Sequence, residues 1–115
     1  MHPKTEGILE SSLYVSDVAR SAQFYKKIFG FPVISDFGER GCAMGAGHRQ
    51  ILLLFKKGGS RAMQSPHDGD GELHLAFAIR ADELAGWRPG WRKTESRWKR
   101  KVRGVGRAKR LFSRP

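Results

Sequence analysis

Glu10 and His74 carry side-chain types that can each ligate a metal ion. If residues 7–15 are extended, Ile8, Glu10, Ser12 and Tyr14 lie on one side, because successive strand side chains alternate. In residues 72–79, ELHLAFAI, His74 shares its side with Ala76 and Ala78, while Leu73, Leu75, Phe77 and Ile79 take the other. The bulky side suits a core, and the alanine side leaves room for a ligand. Carboxylate and imidazole suit Zn, Fe, Ni, Co or Mn, and two donors do not choose among them. On pattern alone the plainer readings weigh more, namely a solvent-facing glutamate and a hydrogen-bonded histidine. Tyr14, on the Glu10 side, and His67, in SPHDGDGELH, are the candidate substrate contacts, although His67 also reads as a polar loop residue. Cys42 reads as a small core hydrophobe with nothing near it in sequence to activate a thiol. His2 and His48 read as surface residues.

The elements that would position these groups follow a regular order. Residues 7–15 alternate weakly and predict a strand. Ser16 and Asp17 are an N-cap signal, after which Val18, Ala22, Tyr25 and Phe29 recur at helical spacing. Gly30 stands where a left-handed cap belongs, Pro32 follows, and Lys26 and Lys27 suit the negative end of the helix dipole. Residues 31–35, 40–45 and 50–56 predict three further strands, giving β-α-β-β-β. Residues 57–71 are rich in Gly, Ser, Pro and Asp and read as a linker. Residues 72–79 predict a strand and 81–87 the start of a helix, so the β-α opening recurs as a pattern without clear identity.

Charge divides the chain at the same place. Residues 1–87 hold ten basic and ten acidic residues, whereas residues 88–115 hold twelve basic residues and Glu95, which accounts for the net +11. Such a basic end suggests a nucleic-acid or membrane-surface arm. The 115 residues allow one small domain. The single cysteine excludes an internal disulfide, and no apolar leader or membrane-length run is present, which points to a cytoplasmic protein.

LYVSD followed by RSAQFYKKIFGF, with GELHLAFAI further on, resembles the vicinal oxygen chelate superfamily of glyoxalases, bleomycin resistance proteins and extradiol dioxygenases. The resemblance covers roughly residues 6–87. It implies an α+β fold of two facing βαβββ modules with a divalent metal ion between them. The domain would span residues 5–87, with module one at 6–56, the linker at 57–71 and the start of an incomplete module two at 72–87. One implied ligand stands seven residues before the aspartate of V-x-D, which here is Glu10. The other lies in an H-x-A-F context, which here is His74. A further carboxylate is expected from the last strand of module two, and QILLLFKK offers no substitute. The implied activity is that of a metal-dependent lyase or dioxygenase acting on a small oxygen-rich substrate. The alternative is a metal-free, drug-sequestering homodimer. A third reading makes the basic end a nucleic-acid arm, with Trp91 and Trp98 stacking on bases.

After Trp87 the resemblance stops. Residues 88–115 show no helical or strand period, and predict a disordered tail that binds nucleic acid only non-specifically. Codons compatible with residues 109–115, KRLFSRP, can be read one base later as Ser-Val-Tyr-Phe-Arg-Asp-Pro, which is the segment the family has near its end. The expectation is therefore a frameshift near the C-terminus that truncates the second module and leaves the chain inactive. Coding DNA that lacks this segment in the shifted frame would refute it.

Overall fold

The computed structural model describes residues 1–87, 102–105 and 108–113. It divides into two units, Met1–Gly71 and Glu72–Arg114. In the first unit β1 (Glu10–Val15) leads into α1 (Val18–Phe29), followed by β2 (Val33–Asp36), a 3-10 turn at Gly38–Arg40, β3 (Gly41–Gly45) and β4 (Ile51–Lys56). These are the elements expected from sequence, with β1 and β2 starting later.

Local chemistry accounts for the bounds of α1. Asp17 has extended backbone and its Oδ1 accepts the Arg20 amide at 3.0 Å, satisfying an orphan donor of the first turn. Gly30 ends the helix at φ 71°, donating to the Lys26 carbonyl at 3.0 Å. Only glycine takes that left-handed conformation without a Cβ penalty.

The sheet order is β1-β4-β3-β2. β1 and β4 run parallel with Tyr14 beside Phe55, while β4-β3 and β3-β2 are antiparallel. α1 packs across β3 and β4. Leu13, Val15, Cys42, Met44, Leu52 and Leu54 share the buried face with Tyr25 of α1, all at most 5 % exposed. Cys42 is thus the core residue expected, and its thiol is pushed up by burial and then by the charge of neighbouring Asp36. The opposite face carries Glu10, Ser12 and Tyr14 beside Ile51, Leu53 and Phe55.

Residues 57–71 do more than link. The Lys57 amide donates to the Val15 carbonyl at 2.9 Å, which prolongs the β1–β4 ladder. The chain then folds back, burying Ser60 and bringing His67 N–H to the Ser60 carbonyl at 3.3 Å. Asp68 clasps the loop, accepting from the Gly58 amide at 3.1 Å and from Arg61 Nε at 2.5 Å. Lys57 pairs with Asp70 at 3.3 Å. A glycine-rich segment can fold this closely because its backbone groups find partners within the loop and on the sheet edge.

In the second unit β5 (Leu75–Arg80) is followed by a 3-10 turn at Ala81–Glu83 and helical residues 84–87. Two more strands, β6 (Val102–Val105) and β7 (Ala108–Ser113), complete a sheet of order β5-β7-β6, antiparallel throughout. The expectation of a disordered tail covers these two strands, at residues 102–105 and 108–113. The register sets Val102, Leu111 and Phe77 in one row, an apolar alignment that the surrounding lysines and arginines hide in the linear sequence. The remainder of that expectation, residues 88–101, 106–107 and 114–115, lies outside the described residues. Among the described residues, no helix is long and apolar enough to cross a membrane.

Candidate functional site

The side of the first sheet that α1 leaves uncovered gathers the chemistry. Parallel pairing of β1 and β4 sets Tyr14 against Phe55, with ring centroids 5.8 Å apart and planes nearly parallel. The 57–71 loop carries His67 onto the same ring, edge-on at 4.5 Å. Tyr14 Oη and His67 Nδ1 then meet at 2.9 Å, although the two residues lie 53 positions apart. Both candidate substrate contacts therefore come together at one place. When Nδ1 accepts the tyrosine proton, the imidazole carries its own proton at Nε2. Nε2 makes no other hydrogen bond among the described residues, so this tautomer presents a spare donor.

Gly69 fits against this cluster because it lacks a side chain. A Cβ there would lie 2.6 Å from Tyr14 Cδ2. The acidic clasp beside it is firmly ionised: the Gly58 amide and then Arg61 hold the Asp68 carboxyl down to about 2. The Gly71 amide and then Lys57 hold Asp70 below the usual carboxylate range.

Four neighbours of the cluster had no distinguishing mark in the sequence: Phe37, Arg40, Phe55 and Ser60. The Arg40 guanidinium lies over Phe37 at 5.3 Å and over Phe55 at 5.6 Å. Its Nη1 donates to the buried Ser60 Oγ at 3.3 Å. Phe55 was concealed because β4 is apolar at consecutive positions, so its faces cannot be told apart by alternation. Arg40 is reached only through the fold, twenty positions from Ser60.

The two candidate metal donors stand differently. Glu10 is exposed at the start of β1, on the side of Ser12 and Tyr14. His74 is exposed immediately before β5, in the second unit. Ala76 and Ala78 are exposed and Leu75, Phe77 and Ile79 half-buried, which is the two-sided division expected for this strand. Among the described residues no group of three or more His, Cys, Asp or Glu side chains could hold a metal ion. The donor chemistry suits a divalent ion, but the described set falls short of a full coordination sphere.

Residues 7–94 match the family described as Glyoxalase/Bleomycin resistance protein/Dioxygenase superfamily. Among solved structures, a lactoylglutathione lyase from Agrobacterium tumefaciens is 23 % identical with a TM-score of 0.70, over 89 % of this chain and 77 % of that one. An integron cassette protein from the mobile metagenome of a Halifax Harbour sewage outfall is 20 % identical, TM-score 0.67, over 96 % and 91 %. An integron cassette protein of V. cholerae is 18 % identical, TM-score 0.59, over 100 % and 91 %. At these identities the likeness is one of fold. A search of curated proteins finds no match.

Proposed function

This chain belongs to the Glyoxalase/Bleomycin resistance protein/Dioxygenase superfamily, and we propose that within it the chain binds a small organic molecule on the Tyr14 side of its first sheet, without metal-dependent turnover. The observation that supports this most is the meeting of Tyr14 and His67 over Phe55. Aromatic walls with a few convergent polar atoms are what a small-ligand site requires. Tyr14 and His67 bind and orient the ligand, and the clasped 57–71 loop excludes water from that end of the face.

A divalent ion, when bound, would act as a Lewis acid that polarises adjacent substrate oxygens. Glu10 and His74 are the donors proposed for it. We read the chain as descended from a metal-dependent lyase or dioxygenase and, because the residues after Trp87 depart from the family pattern, as weak in metal binding and inactive now.

One titration series tests both parts. Benzyl alcohol, a small neutral aromatic probe, is expected to shift the ring signals of Tyr14, Phe55 and His67 equally with and without a chelator. Zinc, nickel and manganese are each expected to bind more weakly than micromolar. Probe-induced shifts that bypass these rings would sink the binding face. Sub-micromolar metal affinity abolished by His74→Ala would restore the metal-enzyme reading.

A further inference from the structure

Among the described residues Arg40 is a charge without a counter-charge. Its guanidinium is half-buried between the Phe37 and Phe55 rings and the loop. Its one hydrogen bond among the described residues goes to a neutral group, Ser60 Oγ. The neighbouring carboxylates are engaged elsewhere or out of reach. Asp36 Oδ1 accepts the Gly38 amide, and Asp68 and Asp70 hold Arg61 and Lys57. None of the described carboxylates, Glu39 included, comes within ion-pairing distance of Arg40. A guanidinium carries five donors in a planar fork matched to a carboxylate, and stacking on aromatic rings leaves that fork free at its edges.

The same buried serine joins Arg40 to His67. Ser60 accepts from Arg40 through Oγ and from the His67 amide through its carbonyl. Arg40 and His67 also both lie against the Phe55 ring. Arg40 and His67 are thus held against one ring, Phe55, which is only 6 % exposed and has Tyr14 stacked on it. Partial burial strengthens a charge-assisted hydrogen bond there relative to open water.

We propose that Arg40 and His67 form an anion subsite that selects ligands carrying a carboxylate on a flat, unsaturated body. The carboxylate meets the Arg40 fork and the His67 Nε2 proton, and the body lies against the half-buried Tyr14, Phe55 being already covered. This rests on the ligand face proposed above and names the class of molecule that the face takes.

The test compares two probes of one shape on the full chain: benzoate and benzyl alcohol, titrated calorimetrically at neutral pH and low salt. Benzoate is expected to bind at least about tenfold more tightly, the usual order for a charge-assisted hydrogen bond over a neutral one. In Arg40→Gln that preference should vanish. Equal affinity of the unaltered chain for the two probes overturns the anion subsite, and this comparison needs no variant to fold. A benzoate preference that survives in Arg40→Gln also overturns it. Failure of both probes to bind removes the ligand face itself.

Discussion

The two units begin alike and finish differently. Each opens with a strand whose sides divide into bulky and small or polar residues, and each strand runs directly into a helical turn. In the first unit three strands follow, and the last lies parallel to β1. In the second, two described strands follow, and the last lies antiparallel to β5. The difference is one of parity. β2 runs parallel to β1 and β6 parallel to β5, since each relation passes through the intervening antiparallel pairs. Each hairpin reverses the chain, so two more strands after β2 restore the starting direction, whereas one more after β6 opposes it. Adding or losing one strand therefore changes which edge hydrogen bonds the opening strand can make.

Burial separates the units as well. Within residues 1–87 every fully buried side chain belongs to Met1–Gly71, and β5 is nowhere more than half-buried. Stability should therefore reside in the first unit. The largest effect is expected from Leu54→Ala, which removes a side chain at 0 % exposure and should cost about 2–5 kcal/mol. Ile79→Ala on β5 should cost well under half as much. Urea unfolding followed by amide exchange along the chain measures both, and equal losses would erase the contrast.

A smaller effect should come from the loop that distinguishes the first unit. Gly69→Ala puts a methyl against Tyr14, so either the loop or the Tyr14 ring must shift, which is expected to weaken the Tyr14–His67 hydrogen bond. Weaker probe binding with little change in unfolding midpoint is the expected outcome. Tight binding by this variant would show that the loop does not shape the face.

The smallest effect concerns pH. Asp68 is depressed to about 2 in the folded chain, below the ordinary unfolded value of about 3.9. Its contribution is present above the unfolded value and fades as pH falls through about 2. Exchange protection of the Gly58 amide should persist from neutral pH to about 4, then decline toward 2. Loss of protection already at pH 5 would mean that the clasp depends on another group.

What was legible in the sequence was local. The α1 boundaries follow from Asp17, Gly30 and the spacing of Val18, Ala22, Tyr25 and Phe29, because caps and helical faces act between residues three or four apart. The strand positions and the place of Cys42 in the core follow from apolar patterning over a few residues. Glu10 and His74 were named through the family resemblance, and Tyr14 from its place on the Glu10 side. Tertiary structure decided what depends on distant partners. It set β1 beside β4 and so Tyr14 beside Phe55. It turned the expected linker into a clasped loop that brings His67 to Tyr14, and it brought Arg40 to Ser60. It also recruited two strands from a stretch whose charge gave no sign of pairing. The physical reason is that a local signal acts through the chain's own geometry, whereas a ladder or a ring contact between residues tens of positions apart depends on the burial and backbone hydrogen bonding of both partners together.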